Sequence, residues 1–397
     1  MLFFKECKKV LFSLTFFIYC ITVLAMYFTQ FHADIGEPIE APVQGYDNYG
    51  MAQKEIPEIL MPEAVRSLIT EYYSGSFTAY PYGFIKYVKL TEKQKARMEE
   101  IILEVSGLTM KGLEAHQYFE IPGDLTYEHF RELMREADRI IGGGSKYSDD
   151  FIVGNFSYVP KTYEDALAEY ESFLYEDKIT GAYARLYCDY LGIVASILPV
   201  FVAVALANLD KRSRMEQLAF VRKISSVKLI FTRFFSLTAV LLIPLIVTAV
   251  IAQTKVSGIY RGQALDSFAI CIYALFWLVP NIMTASAVGM LLTETTSGLL
   301  AIVVQGAWWI MSIFSAAGGL TGRIGRFTLV MRHNSLMGHD AFFDRWENIV
   351  FNRIFFTVVS LLGIALTAFI YEQKRRGSFG GLSAKSRHQN FKHKSKT

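Results

Sequence analysis

Residues Val10–Phe28 read VLFSLTFFIYCITVLAMYF, nineteen positions without a charged side chain, directly after Lys5, Lys8 and Lys9. A helix rises about 1.5 Å per residue, so a run of this length crosses a hydrocarbon layer of roughly 30 Å. A cleaved signal peptide carries an apolar region of about 7–15 residues followed by an A-x-A-like site. This run is longer and no such site follows it. It reads as an uncleaved first span. Five further apolar runs lie at Tyr187–Leu209, Val227–Ala252, Leu265–Leu292, Gly298–Leu320 and Ile349–Tyr371. The expected fold class is an all-α polytopic membrane protein with six transmembrane helices and a mainly helical extracytoplasmic domain between the first and the second.

Composition agrees. Of 397 residues, 52% are hydrophobic and 19% charged, against about 25% charged in soluble chains. The charge is also divided. Thr29 to Leu186 holds 27 acidic and 15 basic residues, a net of −12, and the remainder holds 10 and 25, a net of +15. Lysine and arginine near span ends set orientation. The three N-terminal lysines, the loop carrying Lys211, Arg212, Arg214, Arg222 and Lys223, and the tail from Lys374, Arg375 and Arg376 onward share one side in a six-span chain. That side is expected to be cytoplasmic, with both termini on it and the acidic block outside. The chain then divides into 1–28 (flank and first span), 29–186 (acidic external domain), 187–371 (five-helix membrane region with a cytoplasmic loop at 210–228) and 372–397 (basic tail). Residues 321–348 carry Arg323, Arg326, Arg332 and Arg345. They read as a plain external loop or as a re-entrant turn opened by Gly318-Gly319.

Inside the acidic block, Thr91, Thr126 and Thr162 each stand where a hydroxyl would cap a helix. They predict helices over Glu92–Val105, Tyr127–Ile141 and a stretch from Thr162 through Tyr175. Chemistry-bearing motifs are scarce. The four cysteines, Cys7, Cys20, Cys188 and Cys271, all lie outside the block, so no disulfide framework is expected there. Gly142-Gly143-Gly144-Ser145-Lys146 lacks the spacing of a phosphate-binding loop and reads as a helix stop. His333 and His339 share a loop with Asp340 and Asp344 but not a helix face, and read as solvated loop residues. No nucleophile elbow occurs. Asp189, Arg233 and Asp266 fall near predicted span ends, which leaves little charge at mid-membrane for ion coupling. No catalytic, cofactor-binding or metal site is expected in this chain, and no nucleic-acid partner.

The most informative segment is Arg212–Ser226, RSRMEQLAFVRKISS. On a helical wheel Leu218, Phe220, Val221 and Ile224 share one arc, and Glu216, Arg222 and Lys223 the opposite one, a pattern suited to a membrane surface. With Glu216, Leu218 and Ser225-Ser226-Val227-Lys228 leading into the third run, the chain resembles permease subunits of ABC exporters, the type-2 permease group. It departs from that pattern at Gln217, where the family frequently has glycine, and at Ile224-Ser225, where it has proline. The resemblance implies a coupling loop, with Arg214, Glu216, Leu218, Arg222 and Lys223 facing a separate cytosolic ABC ATPase subunit that binds the ATP. It also implies a second permease half, identical or different, and a bacterial plasma membrane whose lipid surrounds the spans. Nothing in the residues names a substrate. The competing reading is a membrane sensor or assembly protein whose external domain binds a ligand or partner.

Overall fold

A computed structural model describes residues 2–79, 85–115, 118–209, 224–316, 325–333 and 335–376. The chain is mostly helical. Among the described residues, five helices are long and apolar enough to cross a membrane: Leu14–Asp34, Thr180–Ala207, Ser226–Ile259, Ala269–Thr295 and Trp346–Arg375. The fifth expected run forms the shorter apolar helix Gly298–Ala316, and residues 317–324 lie outside the described set. The described chain is thus a multi-pass membrane protein of five long spans plus this shorter helix.

Boundaries differ from the sequence reading for local reasons. The helix Leu2–Leu11 ends before the first span, because Ser13 takes an extended backbone and its hydroxyl accepts from Phe16 N. The span starts at Leu14 and continues through a π turn, Tyr27–Phe31, to Asp34. The second span begins a full two turns early, at Thr180, since Thr180–Asp189 is buried by neighbours rather than solvated. Pro199 interrupts it, splitting it into Thr180–Ala195 and Pro199–Ala207.

Ala269–Thr295 is the central helix, packed against the second, third and last spans and against Gly298–Ala316. Small residues permit this. A Cβ at Gly289 would stand 2.7 Å from Ala203 Cβ and 3.1 Å from Val200 O, so the second and fourth spans meet almost backbone to backbone.

The acidic block builds a separate core from Leu60, Val65, Met98, Ile101, Phe130 and Met134 with their neighbours. Thr91, Thr126 and Thr162 cap helices at Glu92–Ser106, Tyr127–Ile141 and Tyr163–Glu171. The last of these passes into a π turn, Ser172–Glu176. Gly142, Gly143 and Gly144 all have positive φ, and Asp138 accepts from Ser145 N, so this stretch is a helix stop. A helix at Pro57–Ser74 and two short antiparallel pairs, Met51–Gln53 with Tyr158–Pro160 and Phe77–Ala79 with Lys86–Val88, complete the unit.

Candidate functional site

The five residues expected to couple to a partner, Arg214, Glu216, Leu218, Arg222 and Lys223, lie outside the described residues. The anchors of their loop are described. At its exit, Ser225 caps the third span by accepting from Lys228 N. Arg375 Nη1 donates to Ile224 O at 2.8 Å, and Ser226 Oγ donates to Glu372 Oε2 at 2.5 Å. Glu372 also takes Arg376 at 2.8 Å, and Lys374 pairs with Glu294, the penultimate residue of the fourth span, at 2.8 Å. At the loop's entry, a Cβ on Gly298 would stand 2.4 Å from Val204 Cγ1 and 2.9 Å from Asn208 Nδ2, so the short apolar helix begins against the end of the second span. The third, fourth and last spans are therefore pinned together where the loop joins them.

The N-terminal helix Leu2–Leu11 packs on the third span at the same end. Its Glu6 is only 1% exposed, within 2.7 Å of Lys9 and 3.5 Å of Arg233. A carboxylate is tolerated there because two cations share it.

The other end of the bundle, next to the acidic domain, contains more buried polarity than its sequence suggested. Arg185, fully buried, grips Asp177 with both terminal nitrogens. Asp177 also accepts from His339 Nδ1 at 2.8 Å. One turn deeper, both oxygens of the buried Asp189 accept from His333 N, at 2.9 and 3.0 Å. Arg353, seven residues into the last span, donates to Trp277 O at 2.6 Å, Asn281 Oδ1 at 2.8 Å and Asn352 Oδ1. Asn352 in turn donates to Gly325 O and Thr328 O at 2.7 and 2.9 Å. The segment from Gly325 through His333 is thus threaded beside the span rather than lying over it, with Leu329, Val330 and Met331 fully buried.

This overturns one expectation. His333 is not solvated. It is fully buried, donates from Nε2 to Met337 O at 3.1 Å, and is pushed down to about 4 by burial and then by the Arg185 charge, which keeps it neutral. The charges Arg185, Asp189, Arg233 and Arg353 stand near the starts of their helices and are all buried, which composition did not show. The signal for Arg353 was present as Asn352-Arg353 inside an apolar run, but spacing alone does not show that the last span turns this face inward. His339 is half-buried, its ring tilted against that of Phe343 with centroids 4.3 Å apart.

Chemically, the network is rich in oriented donors. Trp277 Nε1 and Asn281 Nδ2 are buried without a partner among the described residues. Both approach the same spot, 3.9 and 3.8 Å from where a Cβ on Gly192 would stand. Arginine only donates, so the Asn281 atom facing it is the oxygen and the amide NH2 points toward Gly192. Two buried donors thus face Gly192 inside the bundle with no acceptor among the described residues. No protein-family model, no curated protein and no solved structure matches the chain.

Proposed function

We propose that the chain is the membrane subunit of an ATP-driven exporter of the ABC type, with the ATP hydrolysed by a separate cytosolic subunit. The observation that carries this reading is the clamp at the ends of the loop 210–223. Arg375 on Ile224 and Glu372 on Ser226 connect the loop's exit to the last span, and Lys374 on Glu294 extends the connection to the central fourth span. A push delivered to an amphipathic surface segment there would move three spans together, as a population shift between two arrangements. The basic residues at this end orient it to the cytoplasm and the acidic domain to the outside. Two such six-span halves, with the apolar run Gly298–Leu320 read from the sequence as the fifth span, would enclose the pathway. The donors at Trp277 and Asn281, without a partner among the described residues, suit a substrate with exposed oxygen acceptors.

The sensor or assembly reading draws on one feature, a charged cleft of about 660 Å³ in the acidic domain, lined by Arg97, Glu104, His129, Arg135 and Asp149 among others. The two readings separate in one experiment. The full chain is purified in mild detergent from its native membrane, and the proteins retained are identified by mass spectrometry. A Walker-motif ATPase is expected to co-purify and to be lost from the Glu216→Lys/Arg222→Glu double variant at equal membrane expression. Repeated recovery of other partners with no ATPase would replace the exporter reading with the sensor one.

A further inference from the structure

The connector between the acidic domain and the second span is built unusually. It leaves the helix Tyr163–Glu171 through the π turn Ser172–Glu176, then passes Lys178 and Ile179 at φ 47° and 60°. Positive φ at a β-branched residue such as Ile179 is rarely adopted and persists only where the surroundings enforce it. Here the enforcement is visible. Ile179 is fully buried, and Asp177 beside it is held by both terminal nitrogens of Arg185. The result is that Glu176 and Asp177 are turned toward the short helix His339–Phe343, which precedes the last span.

His339 sits between them with its two nitrogens divided. Nδ1 donates to the buried Asp177 at 2.8 Å, and Nε2 lies 3.3 Å from Glu176 Oε2. A carboxylate on Nδ1 sets the tautomer and leaves Nε2 with its lone pair outward, the arrangement that precedes metal binding by histidine. Glu176, His339 and Asp340 place a ligand atom each within 4.8 Å of one another. Glu176 and Asp340 are exposed, so an ion has an entry path, while the orienting pair Asp177–Arg185 is buried and stiff.

We infer that Glu176, His339 and Asp340 form a three-ligand site for a divalent transition cation, zinc by donor set, with Asp177 as the residue that positions His339. One imidazole nitrogen with two carboxylate oxygens suits zinc, and three protein ligands leave a position for water. The ion would join the connector of the acidic domain to the short helix before the last span, so occupancy would fix how the domain is seated. The inference does not depend on the exporter reading.

Full-length protein in detergent, stripped with chelator, its cysteines alkylated and carrying His388→Ala/His393→Ala to remove the tail imidazoles, is titrated with zinc chloride. Calorimetry reports binding, and tryptophan fluorescence reports the site through Trp346, whose ring is 5.8 Å from that of Phe343. The expected result is one saturable zinc per chain, weakened at least about tenfold by Asp340→Asn and by Glu176→Gln, and abolished by His339→Ala. Thermal melting establishes that each variant is folded. If His339→Ala does not fold, the exposed Asp340→Asn and Glu176→Gln decide the question. Unchanged affinity in the variants, or no saturable binding, would overturn the site and leave His339 as an imidazole hydrogen-bonded to Asp177.

Discussion

At the scale of single residues, Arg353 has the most demanding environment. It is 2% exposed within an apolar span, and each hydrogen bond it makes among the described residues goes to a neutral oxygen. Its planar fork serves oxygens of Trp277, Asn281 and Asn352 at once, from the fourth and last spans, and through Asn352 it reaches the Gly325–Thr328 turn. A lysine has three donors but not their planar spread. Arg353→Ala is expected to cost about 3 kcal/mol of stability, from the acceptors left unpaired and the space left open. Arg353→Lys should fall between that variant and wild type in thermal melting of the detergent-solubilised protein. An Arg353→Ala protein melting with the wild type would show that Arg353 does not organise this end of the bundle.

At the scale of elements, local signals and close packing divided the work. The threonine caps at Thr91, Thr126 and Thr162 were legible because a hydroxyl bonding a nearby backbone N–H depends on only a few neighbouring residues. The helix Pro57–Ser74 was equally local, opening at Pro57 with Leu60, Ala64, Val65 and Leu68 facing the core and closing at Gly75, yet it was missed. The three-residue strands were not legible, since Met51–Gln53 exists only through its pairing with Tyr158–Pro160, far along the chain. The contact between the second and fourth spans is likewise a matter of approach rather than of sequence pattern. Gly289→Ala is expected to destabilise by about 1–3 kcal/mol, because Ala203 and the Val200 carbonyl leave no room for a methyl group. Gly306→Ala, with nothing within 4 Å of its Cβ position, is expected to be neutral or slightly stabilising. Equal melting shifts for the two variants would contradict the close approach.

At the scale of the whole molecule, the acidic block and the spans each keep a main hydrophobic core of their own, with two smaller clusters in the membrane region. The pairing of Met51–Gln53 with Tyr158–Pro160 brings the two ends of the block together, and Lys54 reinforces it by holding Asp165 at 2.6 Å. A fragment of residues 49–171 is therefore expected to fold by itself and unfold in one cooperative step, measured by circular dichroism. The acid limb of that fragment's pH dependence follows from three carboxylates, one of them Asp149, whose burial is outweighed by the bonds from Arg135 and Arg131. Lys54 holds Asp165 below its usual range, and Arg97 does the same for Glu136. Groups depressed on folding contribute their stability fully above the unfolded carboxylate values, about pH 4, and lose it as pH falls through the lower folded values. The fragment's melting temperature should not fall from pH 7 to about 5, since His129, held up by its bond to Glu104, adds stability as it protonates. It should then drop, with a shallower drop in Lys54→Met. An identical acid profile in that variant would remove Asp165 from the account.

Sequence alone determined that this chain lives in a membrane, where its apolar runs lie, and that an acidic helical unit follows the first of them. Each of these rests on composition or on neighbours a few positions away, where hydrophobicity and capping act. Only the tertiary structure decided which faces of the spans turn inward, and so which charges are buried. Arg185 reaches Asp177, Asp189 meets the backbone of His333, Arg353 bridges two spans, and His339 is brought to Glu176. Except for Arg185 with Asp177, these contacts join residues more than seventy positions apart. A buried charge survives in an apolar surrounding only if its partner arrives from another element. That arrival depends on how helices pack, not on the order of residues along any one of them.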